Sequence, residues 1–203
     1  MALRDDRPAN LERREHILQV AKAVFAERGY LATTMDDIAR AAGFTKPILY
    51  QFFESKATLY QEIIAHTGAV LVEKLRRAVT SVTTPRSKIE SAFRVYFDMV
   101  VNDTDAFRLL FIHAHEGETA TELRKIEVNI VGFLVPYIDP AIGHDYRRQL
   151  AAGIVGIAEG AAIVWLLQQE AKGWPRPAPD EAKRLAAHSA TLAWGGLRAV
   201  HRE

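Results

Sequence analysis

Apolar residues recur three and four positions apart along most of this chain, so it reads as a series of amphipathic helices separated by Gly, Pro and Thr breaks. Ile17, Ala21, Val24 and Phe25 give a first helix one face, with Asn10 placed to cap it and Gly29 to end it. Residues 1–9 before it are expected to form a mobile arm. Met35, Ile38, Ala39 and Ala42 mark a second, short helix. From Ser55 the period holds through Leu59, Ile63, Leu71 and Leu75 to about Thr80, a rod of roughly 40 Å that can join two domains. A shift at its far end would swing its near end, with His66 and Gly68 as points of bending. Thr84 and Pro85 then open a helix whose face is Ile89, Ala92, Phe93, Tyr96, Phe97 and Val100. A turn over 102–105 leads to a short apolar helix over 106–115. Another follows over 119–138, with Leu123, Ile126, Ile130, Phe133, Leu134 and Tyr137 inward and Pro136 in its last turn. Two further helices lie either side of a proline-rich linker over 173–179, the second capped by Asp180 and carrying Leu185, His188 or Ser189, Leu192, Gly196 and Ala199 on one side.

The segment Thr33 to Lys56 has the local chemistry of two helices joined by a tight turn. Thr34 followed by Asp37 is a capping-box pair, and Asp36 and Asp37 suit the positive end of a helix dipole. Gly43 can take the left-handed conformation that ends the helix. Thr45 is placed to cap the next one, and Pro47 falls in its first turn, where a missing N–H costs nothing. Such a pair is the helix-turn-helix, whose second helix enters the DNA major groove N-terminus first. Lys46 has the reach for a guanine edge or a phosphate, Pro47 can touch a thymine methyl, and Gln51 can read an adenine or hold a phosphate. Tyr50 offers a hydroxyl to a phosphate, Thr34 and Thr45 can add phosphate hydrogen bonds to their capping, and Lys56 opens the next helix facing back to the duplex backbone. A buried helical hairpin that never meets DNA is the plain alternative.

Gly29-Tyr30, Thr33-Thr34, Ile38-Ala39, Ala42-Gly43, Leu49-Tyr50, Phe53 and Lys56 together make the stretch from Ile17 to Leu59 resemble the N-terminal domain of the TetR, or tetracycline-repressor-like, family of bacterial transcriptional regulators. The resemblance implies an all-α chain of about nine helices. A three-helix DNA-binding domain over 10–56 precedes a larger ligand-binding and dimerisation domain over 57–203. It also implies DNA contacts at the positions matching Lys46, Pro47, Tyr50, Gln51 and Lys56, and a homodimer formed through the last two helices. Past Leu59 only size, helical pattern and a Trp-Gly-Gly-Leu near the C-terminus continue the likeness, so the effector does not carry over.

Composition changes this picture little. At 203 residues and 49% apolar the chain can bury a sizeable core, and the absence of cysteine excludes disulfides and thiolate metal sites. The charged start lacks an apolar signal region, so a cytoplasmic protein is expected. Net charge is +1, and the first sixty residues hold nine Lys/Arg against eight Asp/Glu. Placement of charge must therefore matter more than its total.

The aromatic stripes of the second domain suggest a pocket for an unidentified small apolar effector, with Phe93, Tyr96, Phe97, Phe111, Phe133 and Trp165 as walls and His113, Asn129 and Arg94 as polar groups; a filled core is the alternative. The expected function is that of a repressor released from a palindromic operator by the effector, with an effector-free DNA-binding regulator as the second reading. No cofactor is expected. His113-x-His115-Glu116 invites a metalloenzyme reading through His113 and Glu116, but helical residues two apart point about 200° apart and no third ligand is in view. Leu150 to Leu167 has the length of a membrane span, yet Glu159 sits at its centre and glycines run through it, so no membrane partner is expected. Its Gly153, Gly156 and Gly160 form one strip and Ile154, Ile157, Ala161 and Trp165 another, one for a pocket and one for a partner subunit.

Overall fold

The computed structural model describes residues 7–112, 120–173 and 178–200. Among these there are helices and connecting turns and no strand. Helix α1 spans Arg7–Ala32, α2 Met35–Ala42, α3 Lys46–Phe52 and α4 Lys56–Thr80. Helix α5 spans Pro85–Asn102, and α6, Thr104–Phe107, runs into one π-helical turn over Arg108–Ile112. Helix α7 covers Ala120–Leu134 and ends in a 3₁₀ turn at Val135–Tyr137; α8 covers His144–Ala171 and α9 Pro179–Ala199.

Several boundaries differ from the pattern reading, each for a local reason. The chain is already helical at Arg7, so Asn10 lies inside α1 and does not cap it; Pro8 in a first turn is no obstacle. Gly29 breaks α1 as expected, at φ 78° and ψ 167°. The turn expected over 102–105 shrinks to Asp103, whose Oδ1 accepts the Ala106 N–H and caps α6. Pro136 tightens the end of α7 into 3₁₀ geometry. Asp180 lies within the first turn of α9 and Ala178 is the cap position, because Pro179 opens the helix one residue earlier.

The first three helices close over Ile17, Ala21, Phe25, Ile38 and Leu49, all buried. Helix α4 starts under this core, capped by Ser55, whose Oγ accepts the Thr58 N–H at 3.0 Å. Its Tyr60 ring lies 4.9 Å from those of Phe25 and Tyr30. Farther on, α4 packs against α5 and α7. Gly68, expected as a bend, is instead a close-approach site: a Cβ there would fall 2.4 Å from Ile126 Cδ1 of α7. Helix α9 buries Ala182, Ala186, Ser189, Ala190 and Ala193 rather than the Leu192 side, and it packs closely on α5. Small side chains let two helices approach, which a search for bulky stripes overlooks.

Candidate nucleic-acid interface and effector core

The turn between α2 and α3 is built locally. Thr34 Oγ1 accepts the Asp37 N–H at 3.2 Å, while Asp37 Oδ2 accepts the Thr34 N–H at 3.0 Å, completing the capping box. The Thr34 hydroxyl, which donates to Asp37 Oδ2 at 2.5 Å, and then the Thr34 N–H hold the Asp37 carboxyl below its ordinary value, with help from Arg28 and Arg40. Gly43 ends α2 at φ 73°, and the Phe44 N–H reaches back to the Ala39 carbonyl at 2.9 Å. Phe44 packs edge-on to the His16 ring, which ties the turn to α1.

With Leu49 fully buried, α3 turns Thr45, Lys46, Pro47, Tyr50 and Gln51 outward. Tyr50 is 46% exposed, unusual for so large a ring. Thr45 holds the cap position without a side-chain cap bond, so its hydroxyl is not engaged there. Lys46 is held by Asp36, Nζ to Oδ2 3.1 Å, an exposed pair that a phosphate can replace. The hydrogen bond to Asp36 also keeps the ammonium charged above its usual range. Arg40, exposed in the last turn of α2, adds a cation to this end of the domain that pattern reading passed over.

Lys56 has a different placement from the one expected. Its ammonium donates to the carbonyls of Tyr30 and Thr33, both at 2.8 Å, and lies 4.3 Å from the Tyr30 ring centre. The two carbonyls follow the Gly29 break, so they need an outside donor, and Lys56 supplies it.

Among the described residues, two ion pairs join the first three helices to the rest of the chain. Arg14 donates to Glu62 on α4 at 2.6 Å, and Lys22 of α1 donates to both oxygens of Asp103 at 2.6 and 2.7 Å. Between them lies a cavity of about 530 Å³ against α1 and α4, floored by Leu18, Ile63, Leu71 and Met99.

Beyond α4 the aromatic stripe is packed core. Phe93, Tyr96, Phe97, Phe111 and Trp165 are all buried, with Tyr96 5.1 Å from Phe111 and Phe97 6.4 Å from Trp165, ring centre to ring centre. Phe133 is half-buried and meets Tyr137 edge-on at 5.4 Å. Asn129 and Arg94 are corrections: both are exposed, because each lies one position off the inward stripe of its helix. His113, like His115 and Glu116, lies outside the described residues. Beside the stripe lies a small cavity of about 30 Å³ with apolar walls, among them Leu75, Phe93, Ile130, Ile154 and Val155. Among the described residues, five buried polar atoms of α5 and α8 have no hydrogen-bond partner: Tyr96 Oη, Arg147 Nε, Glu159 Oε1, Trp165 Nε1 and Gln169 Oε1.

The outer side of α8 carries the glycines. A Cβ at Gly153, Gly156 or Gly160 would meet nothing within 4 Å, and Val164, Leu167 and, on α9, Leu192 are 55%, 50% and 66% exposed. Helix α8 is also long and apolar enough to cross a membrane, by length and composition alone.

Residues 17–63 match the model of bacterial regulatory proteins of the tetR family. The HTH-type transcriptional activator FasR of Mycolicibacterium smegmatis is 31% identical over 193 residues, covering 93% of this chain and 84% of that protein. A TetR-like transcriptional regulator from Rhodococcus sp. RHA1 superposes with a TM-score of 0.74 at 25% identity, over 93% of this chain and 97% of that one. The regulator FadR of Bacillus subtilis, solved with stearoyl-CoA, gives 0.74 at 15% identity, over 92% and 99%. A turn-anchored helix with an exposed reading face, and likeness to such regulators over nearly the whole chain, lead to one conclusion: the chain belongs to the TetR family and is a DNA-binding transcriptional regulator.

Proposed function

We propose that this chain represses transcription as a homodimer on a palindromic operator and leaves it when an apolar small molecule enters the second domain. The observation that carries the DNA half is the outward set on α3, Lys46, Pro47, Tyr50 and Gln51, on a helix fixed from beneath by buried Leu49. Thr34 and Thr45 hold phosphates beside it, and Lys56 positions the domain without touching DNA. Replacing Lys46 and Tyr50 together with alanine should weaken binding of a selected operator by at least about a hundredfold while the dimer stays folded, since base and phosphate contacts of this kind contribute ~1–3 kcal/mol each. Unchanged footprints would refute the assignment.

The unfilled glycine strip of α8 and the exposed Leu192 of α9 support a partner subunit seated on these two helices, which also gives the apolar length of α8 a use other than a membrane span. A dimer sets two reading helices one turn of DNA apart. A cytoplasmic place and a purely regulatory, non-enzymatic role follow from that reading.

For the effector, acyl-CoA thioesters are the first compounds to try, because FadR is seen with one. The cavity beside the aromatic core is too small for a ligand, so a ligand must part α5, α7 and α8 and move α4 with them, and α4 begins beside the reading unit. The same lack of room favours a second reading, an effector-free regulator. Acyl-CoA titration of the operator complex separates the two: release supports the first, and indifference to every chain length supports the second.

A further inference from the structure

Nature rarely leaves a tyrosine hydroxyl and a carboxylate oxygen buried without partners in the wall of an apolar core. Tyr96 is among the residues around the small apolar cavity and is only 4% exposed, yet its hydroxyl has no partner. Glu159 lies one turn along α8 from Val155, another wall residue, and its Oε1 is buried and likewise unpaired. Packing alone does not call for these groups: phenylalanine and leucine would fill the same space without the cost of an unmade hydrogen bond.

We propose that Tyr96 and Glu159 form the polar end of the effector site and select a ligand whose buried apolar part carries a hydroxyl, rejecting a free carboxylate. The proposal rests on the effector reading given above. A hydroxyl can donate to Glu159 and accept from Tyr96 at once, which an ester or a thioether cannot. A carboxylate meets the opposite situation. The fields that reach the Tyr96 hydroxyl are those of Glu159 and Glu127, both acidic, and no cation of the described residues acts on either Tyr96 or Glu159 strongly enough to offset them. Burial, then Glu127, pushes the Glu159 carboxyl up to about 7, so at neutral pH it changes between donor and acceptor with little cost. Specificity of this kind is asymmetric: a site built to bond a hydroxyl strongly disfavours the analogue that leaves its own polar groups unpaired.

The test uses the full-length protein and three probes of one chain length, decanol, methyl decanoate and decanoate, titrated calorimetrically at pH 8. Decanol should bind at least about tenfold more tightly than methyl decanoate, and decanoate most weakly. Tyr96→Phe should erase the preference for decanol over the ester, and Glu159→Gln should raise decanoate affinity toward that of decanol by removing the like charge. Tyr96→Phe should also melt higher than the wild type without ligand, a change that a merely structural hydroxyl bonded in the fold would not give. Equal binding of alcohol and ester, or tightest binding of decanoate, would overturn the selectivity while leaving an effector site in place. Binding of none of the three would overturn this inference, while the acyl-CoA titration of the operator complex decides separately whether the effector reading itself stands.

Discussion

At the scale of single residues, the reading unit depends on a few hydrogen bonds that can be removed one at a time. Thr34→Ala takes away one half of the capping box and should destabilise the protein by about 1 kcal/mol in chemical denaturation. Lys56→Met should cost more, because it removes the ammonium that donates to the Tyr30 and Thr33 carbonyls together. Asp36 acts in the opposite sense: it holds the Lys46 ammonium that, on the proposed reading, meets the duplex. Asp36→Asn should therefore raise operator affinity several-fold at low salt and steepen its salt dependence, measured by fluorescence anisotropy over a salt series. Glu159 gives a pH signature. Its pKa is raised from 4.5 to about 7 in the folded state, so between those values the folded chain binds more protons than the unfolded one. Stability from this group is then present below about 4.5 and is lost as pH rises to about 7. Melting curves of the wild type should fall across that window relative to Glu159→Gln, and the two should run parallel above it.

At the scale of elements, α4 links the reading unit to α5 and α7. Its first turn lies under the reading unit, Glu62 pairs with Arg14 of α1, and Gly68 lets α7 approach closely. Gly68→Ala places a methyl 2.4 Å from Ile126 Cδ1 and 2.7 Å from Cγ1. The better helix propensity of alanine cannot offset that overlap, so a net loss of about 1–3 kcal/mol is expected, with recovery in the Gly68→Ala/Ile126→Ala double variant. An additive double variant would mean that α4 and α7 do not meet there. The Lys22–Asp103 pair fastens α1 to the start of α6 in parallel, and Asp103 at the same time caps that helix.

At the scale of the whole molecule, one chain presents one reading helix and an unfilled glycine face on α8. A bulky charge on that face, as in Gly156→Arg, should leave a folded monomer by sedimentation and reduce operator affinity steeply, because half the phosphate and base contacts go with the lost subunit. A variant that still sediments as a dimer would place the partner elsewhere.

The linear chain determined whatever depends on neighbours in sequence. The capping box at Thr34 and Asp37, the left-handed Gly43, Pro47 and Pro85 in first turns and the breaks at Gly29 and Thr84 are local chemistry, and they placed the reading unit and most helices within a few residues. Tertiary structure alone decided which face of each helix found a partner and how tightly. The alanine face of α9 buries more completely than its leucine face, since close approach to α5 rewards small side chains. Lys56 turned inward to carbonyls freed by a glycine far away in sequence, and the aromatic stripe closed on itself instead of lining a large pocket. Long-range contacts of this kind follow from the packing of the whole chain, and no local pattern encodes them.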